Sequence, residues 1–201
     1  MIDYFALLGQ PRRPWLEAEA LKQHFLVLSG QHHPDRLPEA GPLQKAQAQE
    51  RYANLNAAYQ CLRDPKERLR HLLELERGGK LEQMQIVPAA LMDISLLVGG
   101  ACRKADALLK EKSEATSPLL RVGLFEREQE QVQELTTLTK RLEEHRQDLI
   151  TAAKDLDARW SAEAAAVNQG LLPRLEEVYR LLSYYERWLA HLRERIVQLS
   201  M

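Results

Sequence analysis

Apolar residues recur at spacings of three and four along nearly the whole chain, which predicts helix after helix and no sheet. Asp3-Tyr4-Phe5-Ala6-Leu7-Leu8-Gly9 reads as one or two helical turns, with Asp3 as N-cap and Gly9 as the stop. Leu21, Phe25 and Leu28 mark one face of a helix from about Leu16 to Gly30. Gly30 and Pro34 prevent its continuation. A second helix, from Gln44 to about Arg63, carries Tyr52, Leu55, Tyr59 and Leu62. Asp64-Pro65 then starts a third, with Pro65 at its first position and Leu69, Leu72, Leu73 and Leu75 facing inward. Gly78-Gly79 ends this unit, and the stretch to about Gln85 reads as a linker.

The rest predicts three longer helices. Val87, Leu91, Ile94, Val98, Ala101, Ala105 and Leu108 mark the first, with Pro88 in its opening turn and a weak point at Gly99-Gly100. Each of those glycines costs about 0.8–1.0 kcal/mol against alanine in a helix interior. Ser113 to Pro118 breaks the pattern. A second helix, from about Leu119 or Leu124 to Ala158 or beyond, carries Leu135, Leu138, Leu142, Leu149 and Leu156, with His145 at the core edge. A turn is expected near Asn168-Gln169-Gly170. The last stripe is the most regular: Leu171, Leu175, Val178, Leu182, Tyr185, Leu189, Leu192, Ile196 and Leu199. The fold class is therefore all-α, ending in a bundle of long antiparallel helices.

Composition narrows the function classes. Formal charge is −1, from 28 basic and 29 acidic residues, so no global field draws the chain to nucleic acid or an anionic membrane. Aromatics at 6% are too sparse for a strand-rich core. Cys61 and Cys102 form no CxxC, and reduced thiols in a cytoplasmic setting are the expectation. The first residues have neither a basic n-region nor an apolar h-region, so no secretory signal is expected. No apolar run approaches the roughly 18 residues that cross a membrane.

No nucleophile–base cluster, phosphate loop or metal set is legible, so an enzyme, a metal centre and a bound cofactor are not expected. His32, His33 and Asp35 could ligate a metal, but they lack a fourth ligand and a recognised spacing. The candidate chemistry lies in His33-Pro34-Asp35, within a polar loop between two helices. Asp35 can pair with an arginine on a partner, Pro34 stiffens the loop, and His33 can anchor it by hydrogen bonding. A small charged loop at the tip of a helical hairpin is a shape suited to docking on another protein.

The stretches Asp3-Tyr4-Phe5, Leu16 to Leu21, His32-His33-Pro34-Asp35-Arg36 and Leu55-Asn56-Ala57-Ala58-Tyr59, running on through Leu62 to Asp64-Pro65 and Arg68, resemble a J-domain. Arg70-His71-Leu72-Leu73-Glu74-Leu75, and a C-terminal bundle with no zinc-binding or Gly/Phe-rich region, are more narrowly similar to the HscB family. The resemblance implies residues 1–76 as J-domain, 77–86 as linker and 87–201 as a three-helix client-binding or oligomerisation bundle. It implies no catalysis by this chain. Its partners would be a DnaK- or HscA-type ATPase chaperone, whose hydrolysis it stimulates, and an IscU-like iron–sulfur scaffold. The chaperone-binding set would be His33, Pro34, Asp35, Lys22, His32 and Arg36; the client-binding set would be Leu91, Met92, Asp93 and Leu96. An alternative is a J-domain protein serving a different client through a diverged bundle.

Two departures from the family pattern stand out. The helix before the loop offers few cations (Lys22, then His24 and His32, with Arg36 past the loop), so steering toward an acidic partner is weaker at neutral pH and rises as the histidines protonate. Beyond Leu96 the sequence reads Leu97-Val98-Gly99-Gly100, where the family tends to place charged residues.

Overall fold

The structure is a computed structural model and describes residues 1–32, 41–81, 87–161 and 165–201. Its helices are α1 (Tyr4–Leu7), α2 (Ala18–Gln31), α3 (Pro42–Arg63), α4 (Pro65–Arg77), α5 (Met92–Glu114), α6 (Pro118–Ala158) and α7 (Ala165–Leu199), with a 3-10 turn at Ala89–Leu91. No strand occurs among the described residues, and the all-α expectation holds.

Helix boundaries follow local chemistry. The Asp3 carboxylate accepts from the N–H groups of Phe5 and Ala6 at 3.0 and 3.1 Å and so caps α1. Asp64 accepts from Glu67 N–H at 2.9 Å, and Pro65 opens α4 where no intrahelical donor is needed. Gly78, at φ 69°, ends α4 in the left-handed region, and Gly79 N–H returns to the Glu74 carbonyl at 3.1 Å. The linker stretch falls partly on residues 82–86, outside the described residues.

Contacts group the chain into two compact units, Met1–Glu82 with Ile150–Tyr179 and Gln83–Leu149 with Arg180–Met201. In the first, Phe5, Leu8, Leu21, Leu55, Leu62, Leu69, Leu72 and Leu73 are wholly buried. α1, α2 and α4 all pack on α3, and the Phe25 and Tyr59 rings stack at 4.3 Å. Arg68, buried in α4, donates through Nε to the Pro14 carbonyl at 2.9 Å and through Nη1 to the Leu62 carbonyl at 2.8 Å. Its guanidinium lies 4.9 Å from the Trp15 ring centroid, and Lys154 Nζ lies 4.4 Å from it. Burial pushes the Arg68 pKa down to about 10, still far above neutrality.

The second unit is a three-helix bundle. Lys104 with Glu134 and Lys112 with Glu128 set α5 antiparallel to α6. Arg193 with Glu143 and Arg146 with Glu186 set α6 antiparallel to α7. Its core holds Leu91, Val98, Ala101, Ala105, Leu108, Leu135, Leu142, Tyr185, Leu189 and Leu192. The last stripe reads as expected: every member is buried except Ile196, which is half-buried.

Two local expectations are corrected. No turn falls at Asn168-Gln169-Gly170, because α7 begins at Ala165 and runs through those residues. Asn168 acts from inside the helix: its Nδ2 donates to the Ser161 carbonyl and its Oδ1 accepts from Ser161 N–H at 3.0 Å. Pro88 precedes the 3-10 turn instead of sitting in the first turn of α5. A proline fits there because its extended ψ of 143° directs the chain into the turn.

His71 ties α4 to α1. Its Nε2 accepts from Tyr4 N–H at 3.0 Å, and its ring lies 5.8 Å from the ring of Phe5, centroid to centroid, nearly parallel to it. Burial lowers the His71 pKa against the opposing pull of the Asp3 and Glu74 carboxylates. The folded chain therefore binds this proton less readily than the unfolded chain does. His71 contributes stability above the ordinary histidine value of about 6.5 and loses it as pH falls from there toward its lower folded value. Urea unfolding at pH 7.5 and 5.5 is expected to show a smaller acid loss in His71→Gln than in the parent chain. Equal losses would remove His71 as the cause.

Candidate functional site

The first candidate set surrounds the loop after α2. His33, Pro34, Asp35 and Arg36 lie outside the described residues. Of the remainder, Lys22 is exposed on α2, with Nζ 3.9 Å from Glu19 Oε2. His32 is the C-cap of α2, half-buried, its N–H returning to the Leu28 carbonyl at 3.1 Å. His24 faces Gln10, with Nδ1 2.9 Å from the amide nitrogen. The inward face of α2 is as expected: Leu21 is buried, and Phe25 and Leu28 are half-buried.

Its outward face adds what periodicity did not single out. Leu26 and Val27 are exposed, next to Lys22 and Gln23 on successive turns. The α2 surface is therefore more apolar than cationic, and dispersion and desolvation outweigh charge in anything that docks there.

The ground under this hairpin is firm. Asp3 accepts two bonds from Arg12, at 2.8 and 2.6 Å. Burial works to raise the Asp3 carboxyl, but Arg12 together with the N–H groups of Ala6 and Phe5 holds it below the usual carboxylate range. Farther along the segment between α1 and α2, the Asp157 carboxylate receives Arg13 through both arms and Trp15 N–H at 2.9 Å. Trp160 Nε1 donates to the Arg12 carbonyl at 2.8 Å. The contacts of Asp157 and Trp160 were not legible in advance, because their partners are more than 140 residues apart in sequence.

The second candidate set lies at the start of α5. Met92, Asp93 and Leu96 are exposed, as a contact face requires. Leu91 is 4% exposed and packs in the bundle core, so it does not share their exposed face. Leu97 is 52% exposed and joins the open face. Both cysteines are free; Cys61 is buried, and burial pushes its thiol up to about 11, which makes it a poor nucleophile and metal ligand. Among the described residues no three His, Cys, Asp or Glu side chains cluster as a metal site. Nor is any helix among them long and apolar enough to cross a membrane.

Known proteins fit this arrangement. Residues 3–71 match the model of the DnaJ domain, the segment that holds α1 to about half of α4 and includes the tripeptide His33-Pro34-Asp35. The co-chaperone protein HscB homolog of Bordetella petrii is 40% identical over 72 residues, covering 36% of this chain and 42% of that protein. The homolog of Paraburkholderia phymatum is 36% identical over 114 residues, covering 53% and 65%. Its first 71 residues thus carry a J-domain match, and the chain is similar to HscB co-chaperones. These alignments span about half the length of the relatives. The likeness in fold runs further: chaperone HscB from Vibrio cholerae superposes with a TM-score of 0.61 at 18% identity, over 98% of this chain and 99% of that one. Human co-chaperone HscB gives a TM-score of 0.61 at 17% identity, covering 98% and 81%. The N-terminal segment is thus similar in sequence to the DnaJ domain, and the chain as a whole shares its fold with HscB structures.

Proposed function

We propose that this chain is a J-domain co-chaperone that docks on a DnaK- or HscA-type chaperone, accelerates hydrolysis of the ATP held there, and delivers an IscU-like iron–sulfur scaffold to it. The observation that carries this reading is His33-Pro34-Asp35 inside a matched DnaJ domain, joined to a bundle of HscB-like fold. His33, Pro34 and Asp35 form the effector loop; Lys22, His32 and Arg36 flank it, and Leu26 and Val27 add apolar contact along α2. The chain supplies a docking surface, and the chaperone supplies the hydrolytic chemistry.

The client docks on α5 through Met92, Asp93 and Leu96, with Leu91 as internal support. Single-turnover hydrolysis by the purified chaperone tests the first half: addition of the intact chain accelerates it, and an unchanged rate would overturn the reading. For the second half, the pair Met92→Ala with Leu96→Ala is expected to weaken scaffold binding in a calorimetric titration. A loss of roughly 1–2 kcal/mol is expected for two anchors of this size at a partly hydrated face. Both side chains are exposed, so the thermal midpoint should stay within a few degrees of the parent's. An unchanged affinity would remove these residues from the client face.

A further inference from the structure

The first backbone donor of α1 has no partner inside its own helix, and an imidazole on α4 supplies one: Tyr4 N–H donates to His71 Nε2 at 3.0 Å. The Asp3 carboxylate takes the next two donors, Phe5 and Ala6. An imidazole nitrogen accepts only while it carries no proton, so this bond fixes His71 as the neutral tautomer with its hydrogen on Nδ1. The residue is 4% exposed, and its ring lies 4.7 Å from the ring of Tyr4, centroid to centroid, and against that of Phe5. A second proton on the imidazole would set two donors, Nε2–H and Tyr4 N–H, facing each other where water reaches poorly.

The charges around the ring come in opposed pairs. From the N-terminal side come Asp3 and Arg12, which hydrogen-bond each other. From α4 come Glu74 and Arg70, 3.9 Å apart. The carboxylates favour an imidazolium, the guanidiniums oppose it, and burial outweighs them. What else holds α1 is apolar: Phe5 and Leu8 are wholly buried. A helix of four residues does not persist alone in water, so α1 is either docked or lost.

We propose that His71 is an acid-sensitive latch: protonation at Nε2 releases residues 3–10 from α4 while α2, α3 and α4 stay folded. The segment that follows is anchored separately, where Asp157 receives Arg13 and Trp15, and the opening stops there. The latch acts within this chain and does not depend on which partner the hairpin of α2 and α3 meets. The docked turn binds the proton less readily than the open one, so acid favours the open form. An open-state histidine near its ordinary value of about 6.5, with a docked state that stays neutral, sets the ceiling: the open population rises about tenfold from pH 7.5 to 5.5.

Amide hydrogen exchange of the full chain at these two pH values, corrected for the intrinsic pH dependence of exchange, tests the latch. The reporters are the N–H groups of Leu8, Gly9 and Gln10, which donate to the carbonyls of Tyr4, Ala6 and Phe5. The amides of Leu55 and Ala58, buried on α3, are the reference. In the parent chain, protection of the reporters is expected to fall about three- to tenfold at pH 5.5 while the reference amides hold. His71→Gln, neutral at both pH values, is expected to lose this dependence. His71→Phe keeps a ring but has no acceptor, and is expected to show weak protection at both. Reporter protection that does not change with pH in the parent, or an equal fall in His71→Gln, would overturn the latch. A parallel fall at Leu55 and Ala58 would mean that acid loosens the whole unit, and would overturn it as well.

Discussion

Asp35→Asn is expected to abolish stimulation of the chaperone ATPase while leaving the thermal midpoint of the chain unchanged. The substitution keeps the size and shape of the side chain and removes only its charge. A carboxylate that meets a partner arginine in a desolvated interface makes short, charge-assisted bonds, and losing one side of such a pair costs about 2–5 kcal/mol. That corresponds to a loss of affinity of roughly thirtyfold to several thousandfold, enough to return hydrolysis to its basal rate at ordinary concentrations. A purely structural role for the loop predicts the reverse pattern, with a lowered midpoint and stimulation falling only in proportion to the unfolded fraction. Single-turnover hydrolysis and a melting curve on the same preparation separate the two. Full stimulation by Asp35→Asn would remove the effector role of the loop.

The second large effect is on stability. Asp157→Ala is expected to destabilise the first unit by about 2–4 kcal/mol, because it deletes the acceptor of both Arg13 arms and of the Trp15 N–H. The Asp157 carboxylate is 9% exposed, so water replaces it poorly. For a chain of this size the change lowers the thermal midpoint by about 5–10 °C. Asp157→Asn can still accept through its amide oxygen but cannot match both arms of Arg13, and is expected to fall in between. A midpoint within a degree of the parent's in Asp157→Ala would show that the carboxylate is dispensable to this unit. A residue on α6 thus maintains the segment that leads into α2, although about 140 residues separate them.

These two residues differ in how they could have been found. Asp35 is legible in the sequence because its signal is local: a tripeptide flanked by amphipathic helices, followed by Asp64-Pro65 and Arg68. Asp157 carries no such signal. It falls in a helical run among other charged residues, and only the folded chain brings Arg13 to it. The helical stripes were legible for the same reason that Asp35 was, since hydrophobic spacing of three and four is a local property. Asn168 was the instructive miss. Asn-Gln-Gly has turn composition, yet the asparagine lies within α7 and spends its side chain on the Ser161 backbone, so the composition marked the wrong boundary.

The client face divides in the same way. Leu91, Met92, Asp93 and Leu96 are adjacent in sequence and equally apolar or polar wherever they stand. Burial alone separates them, sending Leu91 to the core and the other three to the surface. The sequence by itself determined the all-α class, the cadence of the helices, the cap at Asp3 and the helix start at Asp64-Pro65, because each depends on residues within a few positions of one another. Only the tertiary structure decided which leucines face outward and that Arg13 and Trp15 meet Asp157. Those properties depend on which helix lies against which, and that is set by contacts between residues far apart in the chain.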